Sequence, residues 1–203
     1  MRHRLALAGV ALALLLAGCG SGLAPIPPRS TPSPIVLTTA LPDAWTALQQ
    51  VPLHIPTLSP GEPCPVAPVG QVNPNLGDAL GTGPAFLVGF GKAGALDLSQ
   101  ASQQNGAYSV LTLLTAPPAY TTDMLVRGRQ MDGAAAVLFS EETGSGLLTQ
   151  LQLSPDTAGT TGGASGGWLT WSAFLVVSGA GCYGLQIDGA GFSEVIVFQI
   201  TKG

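Results

Sequence analysis

Two short motifs in the chain could carry catalytic or cofactor chemistry. Gly163-Ala164-Ser165-Gly166-Gly167 matches G-x-S-x-G, the turn that exposes the serine nucleophile of many hydrolases. That turn lies between a strand and a helix, whereas this copy lies in a tract of Gly, Thr and Ser. Residues 89–94 match the G-x-G-x-x-G of dinucleotide sites, but no acid stands about 20 residues further on. We interpret the first motif as loop sequence and the second as a glycine-rich turn between strands.

Few other side chains are suited to catalysis or metal binding. His54 lies among prolines and apolar residues, which is more typical of a packed or surface side chain than of a catalyst. Glu141, Glu142 and Asp156 lack the ligand spacing of a calcium loop. No cluster of histidine and cysteine has the spacing of a zinc site. The sequence therefore predicts no cofactor, no metal and no enzyme activity.

Two pairs of side chains could instead contact a ligand. Arg127 and Arg129 share one face of a predicted strand. They either form ion pairs with acids nearby in sequence, such as Asp132, or contact an anion or a polysaccharide. Trp168 and Trp171 lie at the start of another predicted strand. Either one indole packs in the core and the other at its edge, or an exposed Trp168 stacks on a sugar.

The N-terminus has the pattern of a secretory signal. Arg2 and Arg4 precede an apolar run over residues 5–17, which is shorter than the roughly 20 residues of a membrane-spanning helix. The run ends in Leu16-Ala17-Gly18-Cys19, which resembles the lipobox of bacterial lipoproteins. The resemblance implies that residues 1–18 are removed and that Cys19 carries the lipid anchor. The alternative is an ordinary signal peptide with a chance cysteine.

Such a signal implies an oxidising compartment, which bears on the remaining cysteines. The chain has three cysteines, and lipidation of Cys19 leaves Cys64 and Cys182. An even number can pair without a leftover thiol. We therefore expect a disulfide between them, the alternative being two unpaired buried thiols.

The composition limits the classes of partner. Charged residues make up 9% of the chain, and 7 Lys and Arg stand against 11 Asp and Glu. Nothing basic clusters except Arg127 and Arg129, so nucleic acid is not an expected partner. Hydrophobic residues make up 46%, which is enough to bury a core.

Proline divides the chain into a tether and a domain. The prolines of residues 19–42 favour an extended tether that lifts the domain off the membrane. Residues 43–50 can form one or two helical turns capped by Asp43. Proline returns up to residue 68, and we expect residues 43–80 to be an irregular lead-in to a domain spanning 43–203.

Beyond residue 80, short apolar runs alternate with Gly, Pro, Asp and Asn. Runs of this spacing without helical periodicity predict an all-β fold, an antiparallel sandwich or barrel. The tract 158–167 is predicted to be a mobile loop, and 188–191 a hairpin loop. The predicted strands lie near residues 85–90, 108–115, 123–130, 134–140, 147–153, 169–178, 182–188 and 194–201.

A family resemblance makes the fold class more specific. Its segments are Trp45 and Leu48, then Pro52-Leu53-His54-Ile55-Pro56 and Pro60-Gly61-Glu62-Pro63-Cys64-Pro65-Val66, then Leu125-Val126-Arg127-Gly128-Arg129-Gln130-Met131-Asp132-Gly133 and Gly181-Cys182-Tyr183-Gly184-Leu185-Gln186-Ile187-Asp188-Gly189. In this order they resemble uncharacterised secreted or lipoprotein-like proteins of bacteria such as Chloroflexota, over residues 43–201. The resemblance implies an immunoglobulin-like or related antiparallel β-sandwich of about seven to eight strands. It implies no catalytic residues.

Together these features predict a lipid-anchored, extracytoplasmic domain. We expect a non-catalytic binding or adhesion module of the cell envelope that recognises a protein or a surface glycan through its loops. An exposed apolar or aromatic patch would favour this function. The alternative is a structural or accessory subunit of an envelope assembly or transport complex. A hydrolase is a third possibility and would need a pocket that gathers His54 or a pair of carboxylates.

Overall fold

Twelve β-strands form one curled, mixed sheet in the residues that the structure, a computed structural model, describes. These are residues 43–141, 146–159 and 166–203. The predicted signal, Cys19 with its tether, Glu142 and most of the G-x-S-x-G motif lie outside the described residues. In chain order the elements are α1 (Ala44–Gln49), β1 (Val69–Asn73), β2 (Gly77–Leu80), β3 (Phe86–Val88), β4 (Ala95–Asp97), β5 (Ser102–Gln104), β6 (Ala107–Ala116), β7 (Met124–Gln130), β8 (Ala136–Glu141), β9 (Gln150–Leu153), β10 (Leu169–Val177), β11 (Gly181–Gly189) and β12 (Phe192–Thr201), with short 3-10 helices at Leu98–Gln100 and Pro155–Thr157.

The strands are ordered β1-β2-β3-β6-β10-β8-β7-β11-β12-β4 across the sheet, with β5 paired to β6 and β9 to β7. The predicted all-β class is confirmed, and each of the predicted strand regions contains a strand. Two details differ from the expected fold. The strand count is higher than seven to eight, and β4 pairs with β12 in parallel. The additional strands β1, β2, β4 and β5 are only three to five residues long, so they leave little periodic signal in the sequence.

Local signals account for the ends of several elements. Asp43 caps α1 by accepting a hydrogen bond from the Thr46 amide at 2.8 Å, and this bond lowers the pKa of the Asp43 carboxyl. The glycine-rich segment 89–94 links β3 to β4, with Gly91 and Gly94 at positive φ. Because a strand follows it where a dinucleotide site has a helix, the interpretation as a turn is confirmed.

The core lies inside the curl of the sheet. One side of β6 and β10 contributes Val110, Leu114 and Leu175, and one side of β11 and β12 contributes Leu185 and Phe198. The described buried apolar residues all lie between residues 55 and 200. Residues 40–203 form one compact unit, and this unit therefore has its own hydrophobic core.

Strand β11 is buried on both of its faces. Its odd-numbered side chains, such as Tyr183, point into the core. Its even-numbered positions are covered by residues 51–67, which we call the strap. The Leu58 amide donates to the Met131 carbonyl at 2.8 Å, and the Ala67 amide donates to the Val197 carbonyl at 2.8 Å. The strap, which belongs to the predicted lead-in, therefore crosses the outer side of β7, β11 and β12.

Two further contacts hold the strap on β11. Cys64 and Cys182 form the expected disulfide, with their Cα atoms 5.5 Å apart. Ile55 is 5% exposed and packs over Gly184. A Cβ at residue 184 would lie 2.7 Å from Ile55 Cγ2 and 3.4 Å from Met131 Sδ. The strap can approach the strand this closely only because residue 184 has no side chain.

This close approach predicts the effect of Gly184→Ala. The added methyl group must push away the branched, stiff Ile55 side chain, so we expect the free energy of unfolding to fall by about 1–3 kcal/mol. Urea unfolding followed by circular dichroism measures it. Gly70→Ala in β1 is the matched control, because nothing lies within 4 Å of its Cβ position, and its effect should stay within about 0.5 kcal/mol. Equal effects of the two substitutions would contradict the packing of the strap on β11.

Candidate binding surface

The side chains of Arg127 and Arg129 both bind groups of this chain, and both donate hydrogen bonds to the strap. Arg127 Nη2 lies 2.5 Å from Asp188 Oδ2 and donates to the Val51 carbonyl at 2.7 Å. Arg129 Nη2 donates to the Ile55 carbonyl at 2.7 Å and to Thr57 Oγ1 at 2.5 Å. An anion could reach these guanidinium groups only by competing with the strap.

The ion pair follows from the register of two neighbouring strands. Gln186 lies opposite Arg127 and Asp188 lies opposite Leu125, which makes Arg127 and Asp188 diagonal neighbours on one face. The expected ion pairs were with acids close in sequence, such as Asp132, whereas this partner is 61 positions away. Asp132 instead accepts hydrogen bonds from Gln130 Nε2 and from the Cys182 amide.

Asp188 and Gln186 complete a buried polar network beneath the strap. The Asp188 side chain is 1% exposed and also accepts from Ser193 Oγ at 2.7 Å and from Gln186 Nε2 at 2.9 Å. Gln186 Nε2 also donates to the Pro52 carbonyl, and its Oε1 accepts from the His54 amide. The backbone amide of His54 therefore takes part in this network, although His54 is exposed to solvent. The described residues contain no group of three or more His, Cys, Asp or Glu placed to hold a metal ion.

The two tryptophans of β10 and its lead-in have different environments. Trp171 is 6% exposed, lies in the core and donates from Nε1 to the Ser154 carbonyl at 3.0 Å. Trp168 is half-buried, and its ring centre lies 5.9 Å from that of Phe86. This matches the alternative in which one indole is in the core and the other at its edge. Trp171 is therefore not available to a surface ligand, and only Trp168 remains near a candidate surface.

An apolar surface that the sequence analysis did not identify lies on the side of β3, β6, β10 and β8 that faces away from the core. The register places Leu111 opposite Phe174, and Leu113 between Val88 and Ser172. We call this surface the outer face. Its side chains alternate with those of the core cluster and do not belong to it. The outer face consists of Val88, Ser109, Leu111, Leu113, Leu138, Ser140, Ser172, Phe174 and Val176.

The outer face is partly exposed and uncharged: Leu111 and Ser172 are exposed, Val176 is buried, and its other members are half-buried. Leu111 is 57% exposed, and Leu147, at the border of the face, is 58% exposed. A groove of about 440 Å³ runs between Leu147 and the side chains of Ser109, Ser140 and Val176. The outward positions described on these four strands carry no charged side chain. The solvated side of an antiparallel sheet is usually polar, so an apolar one of this kind marks an interaction site.

A second concave region lies at the end of the sheet beside α1. It is a cleft of about 480 Å³ lined by Ala47 and Leu48 of the helix, by Ala190, and by the carboxylates of Asp123 and Asp156. Two carboxylates are too few to form a metal group, and His54 does not line this cleft. The region has the shape of a binding site but lacks a set of groups that would indicate a reaction.

The outer face cannot be recognised from the sequence, because the apolar pattern of its two central strands also fits strands that are buried on both sides. The runs Val110-Leu111-Thr112-Leu113-Leu114 and Ala173-Phe174-Leu175-Val176-Val177 are apolar at odd and even positions alike. Such runs are typical of strands covered on both sides. Only the structure shows that one side of these two strands has no cover over Leu111.

Comparisons of the chain with protein-family models, with curated proteins and with solved structures find no match. The resemblance to secreted bacterial proteins therefore stays a prediction. No helix among the described residues is sufficiently long and apolar to cross a membrane.

The buried network predicts a strong coupling between Arg127 and Asp188. Arg127→Met leaves a carboxylate buried without its cation, and Asp188→Asn leaves a cation without its carboxylate. Each is expected to lower the free energy of unfolding by about 3–5 kcal/mol. The double variant should cost less than the sum of the two, because it leaves neither charge unpaired.

Urea unfolding of the four proteins measures this coupling. Arg129→Met is the control, since its described partners are a carbonyl and a hydroxyl, and its loss should be smaller, about 1.5–3 kcal/mol. Strict additivity of Arg127→Met and Asp188→Asn would contradict the ion pair.

Proposed function

We propose that this chain is a lipid-anchored, non-catalytic binding or adhesion module of the bacterial cell envelope. The observation that carries the proposal is the outer face, an exposed apolar surface with Leu111 at its centre. The binding surface is then one side of the sheet, where the sequence had suggested loops. A structural subunit of an envelope complex is the alternative, and it would use the same face to contact its complex.

The proposed location is supported by the disulfide and by the N-terminal motif. A disulfide between Cys64 and Cys182 is compatible with an extracytoplasmic compartment, where such bonds persist. Cys19, at the end of the apolar N-terminal run, would receive the lipid. A lipid anchor followed by a proline-rich tether would leave the domain free to orient its outer face towards a partner.

The chemistry of the outer face favours a protein partner over a glycan. Six of its nine residues are leucine, valine or phenylalanine, and the other three are serine. Glycans require many directed hydrogen bonds as well as a stacking ring. Trp168, beside Phe86 at the end of the face, is the one indole placed near it.

We further propose that the curled sheet is a variant of the immunoglobulin-like sandwich. One core cluster joins β6 and β10 to β11 and β12, as the two layers of a sandwich would be joined. The short strands β4 and β5 would be additions at the margins.

The proposed anchor predicts the behaviour of Cys19→Ser. Cells fed a labelled fatty acid should label the wild-type chain, which should sediment with membranes, and Cys19→Ser should lose both properties. The control is Cys64→Ser with Cys182→Ser, which should keep the label because neither cysteine is at the lipobox. A wild-type chain that takes up no label would leave only the ordinary signal peptide, and a label that survives Cys19→Ser would contradict attachment at Cys19.

The proposed binding surface predicts the behaviour of Leu111→Glu. Residues 40–203, which have their own core, should bind saturably to envelope preparations, and Leu111→Glu should weaken this binding at least about tenfold because it buries a charge in an apolar contact. The matched control is Leu53→Glu on the strap, where a leucine is 43% exposed away from the outer face. Equal weakening by both variants, or no binding, would contradict a role for the outer face.

A further inference from the structure

We infer that the partner of the outer face is a second copy of this chain, so that the module associates with itself. This inference rests on the proposed function and names the occupant of the same surface. Three properties of the face support it: its polar groups, its lack of charge and its rows of apolar side chains.

The polar groups of the outer face are complementary to themselves. Two identical chains related by a twofold axis present the same patch to each other, so the polar groups of that patch must be able to pair among themselves. Ser109 and Ser172 each carry a hydroxyl, which can both donate and accept. A face built for a different protein would combine donors and acceptors that match that partner.

Charge also favours a second copy at this surface. The chain is acidic, with a formal net charge of −4, so most pairs of its surfaces repel each other. The described outward positions of β3, β6, β10 and β8 carry no charge. Two copies can therefore meet there without bringing like charges into contact, whereas a basic partner would find no acid on this face.

The apolar side chains of the face are suited to the packing of one sheet on another. Opposed sheets pack about 10 Å apart with their side chains interdigitating. The adjacent rows formed by Leu111 with Phe174 and by Val88 with Leu113 supply such side chains. The face extends over about five residues on β6 and β10 and over fewer on β3 and β8, which gives a patch of at most about 250 Å² in projection. This size corresponds to a weak, reversible dimer and not to an obligate one.

Sedimentation of purified residues 40–203, over about 10 µM to 1 mM, tests the inference. We expect a reversible monomer–dimer equilibrium with a dissociation constant in the micromolar range or weaker. Leu111→Glu should raise that constant at least about tenfold, because it places like charges across the axis. Leu53→Glu, the matched leucine on the strap, should change it by less than about twofold.

A second variant guards against a folding defect in Leu111→Glu. Ser172 is exposed, and Ser172→Arg adds a charge to the outer face without removing an apolar side chain. It should weaken the dimer as Leu111→Glu does, with an unchanged thermal unfolding midpoint. A fragment that stays monomeric at 1 mM, or a dimer that resists both Leu111→Glu and Ser172→Arg, overturns the inference.

Envelopes from cells that lack this chain separate this inference from the proposed function. A self-associating module should bind only to envelopes that display the chain, and it should dimerise alone. Binding to envelopes without the chain that is weakened by Leu111→Glu, together with a monomeric fragment, would overturn the inference and leave the proposed function standing. The absence of both binding and dimerisation would overturn both.

Discussion

Asp188 imposes the constraint on which one half of this structure depends. Its carboxylate is almost completely buried on the outer side of β11, and a buried charge is stable only when it is paired and fully hydrogen-bonded. Arg127, Gln186 and Ser193 supply those partners. The same Arg127 and Gln186 then bind the backbone of the strap. The buried Asp188 carboxylate is thus linked, through Arg127 and Gln186, to the strap that covers it.

The outer sides of the two halves of the sheet differ in how well they are covered. Over β7, β11 and β12 the strap closes the surface with a polar network, the packing of Ile55 on Gly184, and the disulfide at Cys64. Over β6 and β10 the side chains are more apolar, yet Leu111 is exposed. Among the described residues, the strap covers the side where a charge is buried, whereas Leu111 on the other, apolar side is 57% exposed. The simplest physical account of this asymmetry is that another molecule covers the second surface.

The sequence predicted the elements of the fold better than their surroundings. Apolar runs located eight of the twelve described strands, and the even cysteine count identified the disulfide. Strand periodicity puts Cys182, Gly184, Gln186 and Asp188 on one side of β11, and polar residues on one side normally indicate a solvent-facing surface. This side is buried because the strap, whose residues 52 and 54 contact Gln186 from more than 130 positions away, lies on it. A local pattern contains no information about a cover that arrives from so far along the chain.

The candidate binding residues also show how little a local sequence pattern says about contacts with distant segments. That Arg127 and Arg129 share a face follows from strand periodicity alone, but their partners depend on the pairing of β7 with β11 and on the path of the strap. Trp168 and Trp171 could be separated into core and edge only as alternatives, because the inward side of β10 was unknown. The outer face was missed for the opposite reason: both sides of β6 and β10 carry apolar residues, a pattern that indicates two buried sides, yet Leu111 on one of them is exposed.

A weak interface is consistent with a module that is proposed to be held at a membrane. Two chains confined to one surface meet at an effective concentration far above that in solution, so a patch of modest area can support association there. The same patch would leave the free domain largely monomeric at micromolar concentration, which avoids association before the anchor is attached. A larger or more tightly covered apolar surface would lose this dependence on the membrane. The outer face is limited in extent and is bordered by the segment of Leu147 and Leu148. This limited extent favours reversible over permanent self-association.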